Sequence, residues 1–220
     1  MKNSLATRSI TLLVQFSALI AFIMSLKVGN WFNSVSALWA FIITFLPYAF
    51  EKWQHIKLPT IFIVTVVLFD CAALILGEFG EFYLRFPWWD NMLHSFSGFA
   101  LSLAVFSTML YIYRTSKQLK QLSPGMLILF SFCFAVACGA IWEIIEFSMD
   151  RIFGSNMQRW QDGGIAGLLD TMTDLIMDTS GAIVANVIGY TYLKRTNLIA
   201  KMRKIKLEKF RNIKKPSKSK

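Results

Sequence analysis

Charge is what this sequence has least of. Only 16% of its 220 residues are Asp, Glu, Lys or Arg, against 55% hydrophobic and 15% aromatic, where a soluble domain carries about 25% charge. That deficit argues against a soluble globular domain and favours a membrane protein. Cysteine is scarce too. Cys71, Cys133 and Cys138 all fall inside apolar runs, which excludes a disulfide framework, and their spacing makes no zinc motif. They read as small packing residues. Lys and Arg are missing from the interior of every long apolar run, so any acid buried there must find another counter-charge.

What the sequence has instead is length of apolar chain. Six runs, at residues 10–26, 34–50, 58–77, 92–113, 126–147 and 172–193, each approach the ~20 residues that a helix needs to cross a bilayer. The fold class expected is therefore all-α: a polytopic bundle of six transmembrane helices over residues 1–193, followed by a basic tail over 194–220. The first run follows Lys2 and Arg8 like a secretory signal, yet no small-x-small cleavage site follows it, so it reads as a retained helix.

Basic residues cluster at Lys2 and Arg8, at Lys52 and Lys57, at Arg114, Lys117 and Lys120, and after Leu193. By the positive-inside rule both termini are cytoplasmic, and the first, third and fifth connections face outward. The tail alone holds 12 of the 23 basic residues. Leu198, Met202, Ile205, Phe210 and Ile213 give it a loose apolar stripe, as expected of an amphipathic helix on anionic inner-leaflet lipid. A nucleic-acid arm is the less favoured reading, since a tail beside a membrane meets lipid first.

The acids are arranged differently. Asp70 falls in the outer half of the third helix, Asp90 and His94 in the first turns of the fourth, Glu143 and Glu146 at the outward end of the fifth, and Asp174 and Asp178 at the start of the sixth. Asp90/His94 are i,i+4, Glu143/Glu146 are i,i+3, and Asp170/Asp174/Asp178 step by four, so each set lines one face of its helix. An ionised Asp near mid-membrane costs roughly 2.5–3.5 kcal/mol on insertion scales. A bound cation, shared protons or water must offset this, and a divalent metal is the most economical answer. Helix-bundle carboxylate sites recruit Glu, Asp and His from facing helices in such pairs. The candidate ligands are Asp70, Asp90, His94, Glu143, Glu146, Asp174 and Asp178, with Asp90, His94, Glu143 and Asp174 as candidate catalytic groups. A water on that metal would be acidified for hydrolysis or group transfer.

Other residues read as structural. Gly181, Ala185 and Gly189 form a small-xxx-small ridge, as do Gly98 and Ser102, and Asn186 is a candidate for an interhelical hydrogen bond. "GEFGEFYLRFPWWDN" supplies an aromatic belt. Arg85, Arg151 and Arg159 either pair with Glu78, Glu81 or Asp162 or hold an anionic headgroup or phosphate above the acids.

The blocks "WWDNMLHSFSGF", "GAIWEIIEFSMD", "GSNMQRWQDGG" and "DTMTDLIMDTSGA" resemble those of the YjdF family of bacterial inner-membrane proteins, whose function is unknown. More distantly, D-x3-H, then E-x2-E, then D-x3-D resembles the VanZ-like membrane proteins, which more often have Gln at the position of Glu146. The resemblance covers about Trp88 to Asn186 and implies a multi-pass protein of the bacterial plasma membrane. Asp90, His94, Glu143 and Asp174 carry over best. Three classes of function stay open: a metal-dependent enzyme on a lipid or cell-envelope substrate, a cation- or proton-coupled carrier, and a non-catalytic scaffold with a buried carboxyl network.

Overall fold

The computed structural model describes residues 5–55, 57–115, 123–202 and 204–205. Lys117, Lys120, Phe210 and Ile213, with the rest of the tail beyond Ile205, lie outside them. The described residues form helices and connecting turns, with no strand among them. They divide into two units, residues 1–93 and 94–220.

In the first unit, helix α1 (Leu5–Val28) buries Thr7, Thr11, Val14, Ala18, Ala21 and Ser25, one narrow face of small and hydroxyl residues. Leu12, Leu13, Phe16 and Leu19 remain exposed on the other faces. The pattern is inverted relative to a soluble helix, because close helix contact in lipid favours small side chains while large apolar ones face the chains of the bilayer. The second apolar run, expected as one helix, is two: α2 (Trp31–Ile43) and α3 (Leu46–Gln54). Pro47 opens α3 and breaks the run, since its ring lacks an N–H and clashes with the carbonyl four residues back. At the break, Thr44 donates its hydroxyl to the carbonyl of Phe41 at 2.7 Å and accepts from Gln15 at 2.9 Å.

Helix α4 (Thr60–Asp70) continues as a π-helix over Cys71–Phe79. The wider winding shifts the carbonyls off their usual partners, and that of Ala72 accepts the indole N–H of Trp89 at 3.3 Å. Val14, Ile63 and Val67 form the apolar core here. Past the short α5 (Phe82–Arg85), the rings of Phe82, Phe86, Trp88 and Trp89 pack edge-on or tilted at centroid separations of 4.8–5.8 Å, one cluster within the expected aromatic belt.

The second unit is built from α6 (Trp89–Thr115), whose first turn crosses the boundary, α7 (Pro124–Phe153) and α8 (Ala166–Thr196). Ser123 caps α7, accepting the N–H of Gly125 at 3.2 Å, and Gly154 ends it in the left-handed region at φ 68°, where only glycine is unpenalised. The buried face of α7 runs Leu127, Ser131, Ala135, Gly139, Glu143, Glu146, Asp150, and that of α8 runs Asp174, Asp178, Gly181, Ala182, Ala185, Asn186, Gly189, Leu193. Their exposed faces are mainly Ile, Leu, Val and Phe, with Met126, Trp142, Met172, Tyr190 and Tyr192 among them.

Among the described residues, five stretches, Leu5–Val28, Trp31–Gln54, Thr60–Phe79, Trp89–Tyr113 and Pro124–Phe153, are long and apolar enough to cross a bilayer. Helix α8, at 31 residues, is about 46 Å long and has the reach. Asp174, Asp178 and Asn186 lower its apolarity, and they are buried. The chain is a polytopic helical membrane bundle.

Asn186 joins all three long helices of this unit: its amide donates to Ser102 at 2.8 Å and its carbonyl oxygen accepts from Ser131 at 2.7 Å. Asn186→Ala is expected to cost about 0.6–2 kcal/mol of bundle stability, measured by unfolding in micelles. An unchanged midpoint would mean that the three groups find other partners. One end of the unit is closed by Phe106, Tyr113, Leu127 and Leu193, with Leu198, Ile199 and Met202 packed against them. Thus Leu198 and Met202, the first members of the tail's stripe, pack on protein, whereas Ile205 is exposed.

Candidate functional site

The site begins with Asp178. Its Oδ1 accepts the hydroxyl of Ser97 at 2.6 Å, and its Oδ2 lies 3.1 Å from His94 Nδ1. Both residues lie on α6, and Ser97 comes one turn after His94. Room for the carboxylate comes from α7, where a Cβ at Gly139 would run into it. Three helices thus enclose one buried acid, and both of its oxygens are occupied.

The contact with Asp178 fixes the imidazole. A carboxylate only accepts, so Nδ1 carries the proton and Nε2 of the neutral ring carries a lone pair. Nε2 points towards Asp174, whose Oδ2 is 4.0 Å away. Two acceptors that face each other repel, and a proton or a cation between them would relieve that repulsion. His94, Asp174 and Asp178 are 6%, 1% and 2% exposed, so bulk water does little to screen them. Because α6 is one continuous helix, Asp90 stands one turn before His94 on the same face, and ligand atoms of Asp90, His94 and Asp174 all lie within 4.8 Å of one another.

Glu143 of α7 is linked to the preceding turn of α8. The side chain of Gln158 donates to Glu143 Oε2 at 3.1 Å and to the hydroxyl of Thr171 at 2.9 Å, and Thr171 comes one turn before Asp174. Glu146, also buried, accepts the indole N–H of Trp142 at 2.8 Å. Asp70, the remaining candidate, belongs to the first unit. It lies where α4 turns into the π-helix, it is 3% exposed, and neither carboxyl oxygen has a hydrogen-bond partner among the described residues.

The connection after α7 is tied down by Asp150, an acid for which the sequence suggested no role. Its Oδ1 accepts from the Ser155 hydroxyl at 2.6 Å and the Met157 N–H at 2.8 Å, and its Oδ2 accepts the Gln158 N–H at 3.0 Å. The backbone held this way is what aims Gln158 at Glu143. Removing a charged acceptor of buried donors costs about 1.5–3 kcal/mol per bond. Asp150→Ala is therefore expected to speed amide exchange at Met157 and Gln158 at least tenfold, as read by hydrogen–deuterium exchange. Unchanged protection would show that the loop holds itself.

The arginines divide three ways. Arg85 pairs with Glu81 at 2.9 Å, as one of the two readings expected. Arg159 pairs with Asp170 at 3.3 Å, an acid not among those proposed for it, because α8 starts at Ala166 and brings Asp170 into its first turns. Arg151 lies over the rings of Phe147 and Trp160, at 5.2 and 5.4 Å from their centroids.

Ser97, Gly139, Asp150 and Gln158 are the site residues that sequence reasoning passed over. Ser97 had a signal, its i,i+3 spacing from His94. The others had none, since their contacts cross between helices or from loop to helix.

Among known proteins, the chain matches over residues 7–195 the family described as "Predicted membrane protein (DUF2238)". It is similar to an uncharacterized protein of Thermotoga maritima, 31% identical over 150 residues that make up 66% of this chain and 70% of the relative. No solved structure matches it. The matched span includes α6, α7 and nearly all of α8, and with them every side chain of the buried acid–histidine site: the chain belongs to the DUF2238 family of predicted membrane proteins.

Proposed function

We propose that Asp90, His94 and Asp174 hold a divalent metal ion, and that this ion serves hydrolysis or group transfer on a lipid or cell-envelope precursor at the outer side of the membrane. The observation that carries the reading is the imidazole of His94, held through Nδ1 by Asp178 with Nε2 turned to Asp174. A carboxylate behind a ligating histidine is the usual arrangement that sets its tautomer and raises its basicity. Asp178 is then a positioning residue, and Ser97 in turn positions Asp178.

Two carboxylates and one imidazole suit a borderline or hard divalent ion, and three protein ligands leave coordination positions for water and substrate. When bound, such an ion would acidify water or polarise a carbonyl or phosphoryl oxygen. Glu143, buried on α7 and bridged by Gln158 to Thr171 one turn of α8 before Asp174, is the candidate proton acceptor. The blocks that resemble YjdF proteins carry all of these residues. The basic residues Lys52, Lys57 and Lys194 onward favour an orientation that opens the site outward, and the apolar closure at Phe106, Tyr113, Leu127 and Leu193 argues against a carrier with a through-path.

A metal-free packing network is the competing reading, favoured by the purely structural bonding of Asn186 two turns away. Metal analysis of the purified chain separates the two. About one divalent ion per chain supports the site, and a fully folded, metal-free protein that takes up no added ion refutes it.

A further inference from the structure

A second site lies in the first unit and is independent of the metal reading. At the end of α3 an open cavity of about 400 Å³ is lined by Tyr48, Glu51, Lys52, His55 and Lys57. That volume is within the usual ~300–1,000 Å³ of small-ligand pockets. We propose that it binds a phosphate-bearing anion.

The lining carries two lysines, an imidazole and a phenol against one carboxylate, and that carboxylate is already engaged. Glu51 is 6% exposed. Its Oε1 accepts the backbone N–H of Leu58 at 2.8 Å and its Oε2 pairs with Lys57 at 3.4 Å. Glu51 thereby acts as a clamp, holding the turn so that Lys57 stays at the cavity that Lys52 also lines. The Tyr48 hydroxyl shares a hydrogen bond with Thr11 at 3.1 Å.

His55 reverses the chain in the left-handed region, at φ 52° and ψ 34°, with its N–H closing on the carbonyl of Glu51. A non-glycine residue there carries a backbone cost of about 1–3 kcal/mol. The turn that it makes brings residues 55 and 57 to the same mouth as Lys52.

Charge decides the ligand class. The C-terminal end of α3 opposes an anion by about 0.3–1 kcal/mol, while each lysine near a membrane surface attracts one by about 1 kcal/mol. Glu51 offsets one of the two lysines, so one positive charge in excess is set against one helix end, and the ammonium donors of Lys52 and Lys57 with the imidazole of His55 tip the balance towards an anion. An apolar ligand would strip water from all of these groups. Phosphate suits the cavity better than a carboxylate, since its three or more acceptor oxygens can meet donors that arrive from separate directions.

The source is either a lipid headgroup or free phosphate. Phe50 and Trp53 on the same turn of α3 are 43% and 75% exposed, and such aromatics anchor at headgroup depth. That favours the lipid.

The test uses the full chain in detergent micelles, titrated with dioctanoyl phosphatidic acid, with dioctanoyl phosphatidylcholine and with inorganic phosphate. Phosphatidic acid is expected to bind, and Lys52→Gln to weaken it about fivefold, the factor equivalent to one surface lysine. Lys52→Gln combined with His55→Asn, which keeps a residue tolerant of the left-handed turn, should weaken it further with the melting temperature unchanged. Neutralising Lys214, Lys215, Lys218 and Lys220 should leave it intact. Binding of phosphatidic acid alone identifies the headgroup as the source, and equal sensitivity of inorganic phosphate to Lys52→Gln identifies the free anion. The proposal is overturned if neither binds, if phosphatidylcholine binds as well as phosphatidic acid, or if only the tail substitutions matter.

Discussion

Asp174→Asn is expected to strip the divalent ion from the purified protein, whereas Asp178→Asn is expected to weaken its binding by about 10–100-fold without abolishing it. The two acids are one turn apart on α8 and equally buried, so a purely electrostatic account would treat them alike. Geometry separates them. Asp174 faces His94 Nε2 and belongs to the set of ligand atoms within 4.8 Å of one another. Asp178 has both oxygens committed, one to Ser97 and one to His94 Nδ1. An amide at 178 can keep one of those bonds but holds the imidazole less firmly, and the ligand set itself survives. Equilibrium dialysis against zinc or manganese, with metal content read by mass spectrometry, gives both affinities. Equal losses for the two variants would remove the distinction between ligand and positioning residue. His94→Ala should behave as Asp174→Asn does.

Gly181→Leu should be the most destabilising single change in the second unit. A Cβ at Gly181 would fall on the backbone carbonyl of Ser95 in α6, and one at Gly98 would fall on the backbone of Asp178 in α8. Neither clash can be relieved by turning a side chain, so the two helices must separate. Overpacking a close contact costs about 1–3 kcal/mol, and here separation also breaks the Asp178 bonds to His94 and Ser97. The expected result is a loss at or above the top of that range, together with loss of metal. Gly189→Ala is the control. Its neighbour is the ring of Phe106, which can rotate, and a smaller loss without loss of metal is expected. Thermal unfolding in detergent that ranks the two variants the other way round would contradict the close α6–α8 approach.

The helices themselves were legible because apolar length is a local property. The six runs correspond to helices, with ends that extend beyond the apolar core where polar residues continue the winding, as at residues 148–151. The break at Thr44 was concealed by hydropathy, since Pro47 is apolar by composition and disruptive only by its ring. The switch to π-winding after Asp70 has no marker in the sequence.

The site divides in the same way. The i,i+4 spacing of Asp90/His94 and of Asp174/Asp178 sets each pair on one face of its helix, because the pitch of a helix is fixed by its backbone. That these faces are buried also followed from the cost of charge in hydrocarbon. What spacing could not express is division of labour. Asp174 and Asp178 are equivalent along the chain, and they differ only because Ser97 and the space left by Gly139 receive one of them.

The sequence by itself determined that this is a polytopic helical membrane protein with buried acids and a basic tail, since transfer free energies add residue by residue along a span. Only the tertiary structure decided which acid faces which nitrogen of His94, that Asp150 and Gln158 tie the α7–α8 connection to Glu143, and that the tail begins by packing on protein. Those are properties of contacts between segments far apart in the chain, and hydrogen-bond geometry exists only once the helices have met.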